Sequence, residues 1–203
     1  MVLTQAFSPD FPWLYPIPIG LASFILFYFR KDFLGLITKP SPLSYIIGTM
    51  VYFIWITIVP VDPGVNLHFL NKIQSSSILV VLCWIFFRII GASVVVPIAE
   101  EIFFRGFLFP YVELFACKYF RKFFMPLLNS DGIKMVGLIL SLIVTSLLFG
   151  ILHSDVMAGS LAGFAFGIAY LYRRKLADAV LAHATANLLL ALNVVYFGNW
   201  SYW

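Results

Sequence analysis

Six side chains in three short segments are of types that could together hydrolyse an amide bond. Glu100, Glu101 and Arg105 stand in PIAEEIFFR, His153 closes FGILH, and His183 and Asn187 bound HATAN. A carboxylate can take a proton from water, one imidazole can position that water, and an imidazole plus an amide can donate to the developing oxyanion. Glu101 and Arg105 are four apart with the acid N-terminal, so they can pair along one helical face. That leaves Glu100 as the carboxylate available for base chemistry. His183 and Asn187 share a helix face by the same spacing. No Ser, Cys or Lys stands in a comparable setting, which disfavours a covalent nucleophile.

Each segment also has a quieter reading. Two glutamates near a helix N-terminus are favoured by its dipole. A histidine at a helix end can sit at headgroup level, and His with Asn can simply bond across neighbouring helices. The conjunction on three separate segments outweighs the parts. A further charge, Arg88, falls in the middle of an apolar run. It could snorkel, pair with a carboxylate or hold a substrate terminus, and the sequence does not choose among these.

Those residues are expensive because of what surrounds them. The chain has 203 residues, 62% hydrophobic and 11% charged, with a mean hydropathy of +0.99. Soluble domains are about 45–50% apolar and 25% charged, and a chain this short cannot hide so much apolar surface from water. The solvent is therefore lipid for much of it, and an ionisable group at membrane depth costs roughly 2.5–3.5 kcal/mol, so it marks function by default. The net charge of +4 is scattered, which excludes a nucleic-acid footprint. Cys83 and Cys117 lie in apolar context and read as packed thiols rather than a disulfide framework.

Apolar runs near 12–29, 43–60, 76–96, 98–117, 135–152, 156–172 and 176–196 approach the roughly 20 residues a spanning helix needs. Pro97 predicts a break or kink between the third and fourth. The stretch 118–134 is basic and aromatic, with Asp131-Gly132 as a turn signal, and reads as an interfacial loop or short surface helix. Gly159, Gly163 and Gly167 fall four apart, a spacing that lets two helices approach closely. The first 29 residues carry no Lys or Arg, so the first run is expected to be a retained helix rather than a cleaved signal. If all seven runs cross, eight Lys/Arg fall on one side and three on the other, which puts the N-terminus in the cytoplasm. The expected organisation is one integral membrane domain over 1–203, with its catalytic core at about 80–196.

The three motifs, in this order and each on an apolar segment, resemble the CAAX protease and bacteriocin-processing family, which includes the type II CAAX prenyl endopeptidases and bacterial Abi-like proteins. The family signature Glu-Glu-x-x-x-Arg, Phe-x-x-x-His, His-x-x-x-Asn is met by Glu100, Glu101 and Arg105, by Phe149 and His153, and by His183 and Asn187. The resemblance implies an all-α, polytopic bundle of seven to eight transmembrane helices with a conical intramembrane cavity. It implies an endopeptidase acting near the C-terminus of a membrane-associated or prenylated protein or peptide. By carry-over, Glu100 and His153 activate water, His183 and Asn187 form the oxyanion hole, and Glu101 with Arg105 holds the site's geometry. No cofactor is expected to be required. His-x-x-x-Asn replaces the His-x-x-x-His pair common in zinc sites, although Glu100, His153 and His183 would be the ligands of a zinc ion if one is bound.

The expected partners are the lipid bilayer and a membrane-embedded or lipidated substrate, with no nucleic acid, in a prokaryotic cell membrane. Two other classes stay in view. One is a non-catalytic immunity or sorting-associated membrane protein that retains the fold. The other is a small carrier using Glu, His and Arg as a relay, although the paired repeats common in carriers are not visible.

Overall fold

The computed structural model describes residues 14–33, 38–124 and 129–203, and these are helical with short connections. Residues 12–13 of the first predicted run and 125–128 of the basic-aromatic stretch lie outside the described residues. Helix α1 covers Pro16–Tyr28, followed by a single turn at Arg30–Phe33. Helices α2 (Leu43–Ile58) and α3 (Pro63–Gln74) come next. A long helical run then holds α4 (Ile78–Ile90), α5 (Val96–Glu101) and α6 (Phe109–Phe124), joined by π-helical turns at Gly91–Val95 and Ile102–Leu108. Helices α7 (Ser130–Ile151), α8 (Val156–Arg173) and α9 (Leu176–Phe197) complete the bundle, and a 3-10 turn at Trp200–Tyr202 follows.

The protein is an integral, multi-pass membrane protein. Among the described residues four helical runs are long and apolar enough to cross: Ile78–Lys122, Ser130–Ile151, Val156–Arg173 and Leu176–Phe197. A fifth span exists only if α2 and α3, bent by 107°, are taken together. Three features set this count apart from the seven expected runs. The 13 residues of α1 rise about 20 Å, less than the roughly 30 Å hydrocarbon core. The predicted runs 76–96 and 98–117 are one continuous run of 45 residues. Pro97 does not break it, because it stands at the start of α5 just after a π turn, where a missing N–H is tolerated.

Local chemistry sets the other boundaries. Val59, before Pro60, is extended (ψ 112°), as a residue preceding proline tends to be. Asp62 then caps α3, its side chain accepting from the Gly64 and Val65 amides at 2.8 and 3.1 Å. The expected turn at Asp131-Gly132 is instead the first turn of α7, because Asn129 accepts from the Gly132 N–H at 2.8 Å and starts the helix there. Likewise α6 carries the first part of the basic-aromatic stretch as a continuation of the long run. Cys117 is partly buried, its thiol 3.7 Å from the Ile133 carbonyl. Cys83, expected to be packed, is exposed on the outward side of α4 beside Leu82 and Phe86.

Polarity runs from inside to outside. Glu101 and Arg105 are 0% exposed and Asp178 1%, whereas Ile78, Leu114 and Phe197 are exposed by 72–75%. An apolar exterior around charged interior residues is stable in lipid and would be costly in water. Within lipid, helices associate through close packing and hydrogen bonds, and the glycine stripe supplies the packing. A Cβ at Gly163 would meet the Phe149 Cβ at 2.9 Å, and one at Gly159 would meet the His153 Cβ at 2.9 Å. The stripe thus presses α8 against α7 at the residues of the second motif. Asp178, which the sequence reading passed over, clamps the other end of this layer. Its carboxylate accepts from Arg173 at 2.6 and 2.8 Å, from the Ser41 amide at 2.5 Å and from the Ser44 hydroxyl at 3.3 Å. That ties the α8–α9 turn to the start of α2.

Candidate active site

Glu100 and Glu101 are neighbours in sequence, and successive helical residues diverge by about 100° around the axis. The two carboxylates therefore face different surroundings. Glu100 is half-buried and lines a pocket with about 100 Å³ of space, room for several waters. Glu101 points into the protein core, where its Oε2 lies 2.9 Å from Arg105 Nη1. Arg105 also donates from Nη2 to the Gly163 carbonyl, so the ion pair bridges the long helical run to α8. Breaking such a pair is costly, because the remaining charge would be stranded in a low-dielectric interior.

The two imidazoles are oriented by different partners. His153 lies 2.7 Å through Nδ1 from the Phe149 carbonyl. A carbonyl only accepts, so Nδ1 carries the proton and Nε2 is left with the lone pair. Its ring is stacked on Phe149 at 4.5 Å between centroids and edge-on to Trp55 at 6.0 Å. His183 is 3% exposed, with Nδ1 3.0 Å from Glu101 Oε1. It is stacked on Phe166 at 4.6 Å and edge-on to Phe149 at 5.6 Å. Aromatic contacts on each ring leave little rotational freedom, so each Nε2 is fixed rather than sampled.

Asn187, one turn beyond His183, donates from Nδ2 to the Ala92 carbonyl at 2.8 Å. Ala92 belongs to the π turn Gly91–Val95, where the widened backbone ladder departs from α-helical bonding, a feature frequent at functional sites. The second proton of that amide is left for another acceptor.

Of the six residues singled out by the sequence, Glu100, His153, His183 and Asn187 line one pocket. Glu101 and Arg105 lie behind it and do not. The pocket wall also includes Tyr15, Val51, Tyr52, Trp55, Arg88 and Trp203. The sequence reading gave little weight to the N-terminal helices, yet Tyr15 and α2 supply part of the wall. In a chain with 18% aromatic residues, no composition signal could have separated these from lipid-facing ones.

The alternative of a metal can be tested on the donor set. Among the described residues no three His, Cys, Asp or Glu side chains stand close enough together to share an ion. The Nδ1 contacts of His153 and His183 leave each Nε2 open, and no step is derived through a metal.

Compared with known proteins, the chain matches the model of one family, described as type II CAAX prenyl endopeptidase Rce1-like, over residues 82–189. The match takes in all three motifs and just over half of the 203 residues. No curated protein matched the chain, and neither did any solved structure.

Proposed function

The chain belongs to the type II CAAX prenyl endopeptidase Rce1-like family, and from that premise we propose that it is an intramembrane endopeptidase. Its substrate is a membrane-associated or prenylated protein or peptide cut near its C-terminus. Glu100 takes a proton from the attacking water while His153 Nε2 accepts the water's other hydrogen and aims its oxygen at the scissile carbonyl carbon. His183 Nε2–H and the second amide proton of Asn187 donate to the oxyanion. As the tetrahedral intermediate collapses, the protonated Glu100 returns its proton to the leaving amine. Atoms balance as hydrolysis, with water divided between the new carboxylate and the new amine.

The observation that carries this reading is the convergence of Glu100 from α5, His153 from the bend after α7, and His183 and Asn187 from α9 on one pocket. Glu101 and Arg105 serve as positioning residues. Glu101 Oε1 lies 3.0 Å from His183 Nδ1 and holds the ring in place, leaving Nε2 for the oxyanion. A pocket in lipid also strengthens each of these interactions, because the local dielectric is low.

The test is cleavage of a library of C-terminal membrane peptides, with and without prenyl groups, by purified wild type and Glu100→Ala in liposomes. Cleavage by the wild type and its loss in the variant support the reading. A wild type that cuts none of them, with a cellular phenotype unchanged by Glu100→Ala, would favour the non-catalytic membrane partner.

A further inference from the structure

The two ends of the bundle differ in charge. One end gathers the start of α2, the last turns of α6, the first turn of α7 and the α8–α9 turn. Arg173 Nη2 donates there to the Lys39 carbonyl at 3.0 Å, and Arg174 grips both oxygens of Glu113 at 2.8 and 2.9 Å. Eight Lys/Arg lie at this end: Lys39, three within 118–122, Lys134 and the run Arg173-Arg174-Lys175. The carboxylates described among them, Glu113, Asp131 and Asp178, are each matched by a cation, at 2.8, 3.3 and 2.6 Å. The opposite end is built from the α2–α3 bend, the start of α4, the α7–α8 turn and residues 198–203. Among the described residues it carries one Lys, Lys72, with Asp62 and Asp155. Aromatic rings take the place of charge: Phe69 is stacked on Trp200 at 5.5 Å, and Trp84 lies edge-on to Trp203 at 5.4 Å. Tryptophans gather where a membrane meets water, so this end is an interface too, but a nearly neutral one.

The pocket lies nearer the aromatic end. Among its lining residues, Phe149 stands 15 residues past Lys134 on α7, and Leu190 stands 15 past Lys175 on α9. Fifteen residues rise about 22 Å along a helix, and half of a hydrocarbon core is about 15 Å. Both residues are therefore beyond the midplane, counted from the basic end. Between the pocket and that end the bundle is filled: Phe104, Phe109 and Ala169 are 0–2% exposed, and the Glu101–Arg105 pair is 0% exposed.

We propose that the basic end rests on the anionic headgroups of the cytoplasmic leaflet and that the pocket takes its substrate from the side away from the cytoplasm. Lys and Arg near the ends of spanning helices are retained on the cytoplasmic side, whereas Asp and Glu contribute little. The anionic lipids of that leaflet attract them further. Eight against one is a strong bias, and it became countable only once the bundle had brought Lys39 beside Arg173 and set Lys72 at the other end. The substrate class narrows accordingly, a step that rests on the endopeptidase reading above. The peptide cut is an apolar segment of a membrane-associated protein that emerges away from the cytoplasm. A lipidated protein held in the cytoplasmic leaflet meets the filled, basic half of the bundle and does not reach Glu100.

The experiment is cysteine labelling in spheroplasts of a bacterial expression host, on the full chain with Cys83→Ala and Cys117→Ala. Three single cysteines are then placed. Asp131→Cys marks the basic end and removes no positive charge. Ser77→Cys marks the aromatic end at the exposed start of α4, and Leu190→Cys marks the pocket wall outside the proposed catalytic groups. A membrane-impermeant maleimide is added before or after lysis. Ser77→Cys and Leu190→Cys are expected to react fully in intact spheroplasts and to gain nothing on lysis, whereas Asp131→Cys reacts only after lysis. Labelling of Asp131→Cys from outside overturns the orientation, as does labelling of Ser77→Cys only after lysis. A Leu190→Cys that reacts only after lysis, or not at all, overturns the side of access. The labelling needs no turnover, so it is separable from the protease reading. The expected sidedness in a protein that cuts no peptide would count against the enzyme and leave the orientation standing, whereas cleavage with the reverse sidedness would do the opposite.

Discussion

His183 Nδ1 and Glu101 Oε1 lie 3.0 Å apart although 82 residues separate them in the chain. The same carboxylate is held from the other side by Arg105, whose second arm reaches the Gly163 carbonyl. One buried acid therefore orients the imidazole of one helix and locks the long helical run to another. This division of labour between adjacent glutamates makes their substitutions separable.

Glu100→Gln is expected to lower turnover by about 10²–10⁴-fold, the usual contribution of a general base. Its thermal midpoint should stay near that of wild type, since the side chain is half-buried at a pocket wall. Peptide cleavage and thermal unfolding measured on the same detergent preparation check both halves.

Glu101→Ala should behave in the opposite order, losing stability first. Removing one partner of a fully buried ion pair costs about 3–5 kcal/mol, because Arg105 would stay charged at 0% exposure. Denaturant titration in mixed micelles measures it. A Glu101→Ala protein as stable as Glu100→Ala would refute the assignment of the two acids to pocket and core.

Asn187→Ala removes both the donor toward the pocket and the bond to the Ala92 carbonyl. Loss of one oxyanion donor typically costs about 10²–10³ in kcat. The prediction is a fall in kcat with KM little changed, read from full saturation curves on a cleaved peptide. A pure rise in KM would mean that Asn187 binds substrate without acting on the reaction.

Gly159→Val forces α7 and α8 apart where a Cβ already meets the His153 Cβ at 2.9 Å. Overpacking of this kind costs about 1–3 kcal/mol, and it displaces the imidazole itself. Cleavage should fall well beyond what the stability loss explains, whereas Gly20→Val, with nothing within 4 Å of a Cβ, should leave both unchanged. Parallel thermal and activity assays of the two variants make the comparison.

Chelation supplies the last test. The proposed chemistry uses no metal ion, so dialysis against a strong chelator is expected to leave cleavage intact. Activity lost on dialysis and restored by zinc would instead require the site to rearrange around an ion.

The membrane class, the four polar residues that line the pocket and the close packing at the glycine stripe were legible in the sequence, for local reasons. Composition reports the solvent, a spacing of four reports a shared helix face, and an ionisable residue in an apolar run stands out by its cost. Tertiary structure alone decided the rest. Predicted runs 76–96 and 98–117 merged because Pro97 fell beside a π turn, and α2 bent into α3 at Pro60, neither of which a hydropathy window can register. Which glutamate meets the pocket was the exception, since the four-residue spacing of Glu101 and Arg105 already left Glu100 for it. The partners of Asp178, Tyr15 and Arg88 lie up to 137 residues away. Contacts over such separations are set by how helices stack, and a linear pattern carries no term for that.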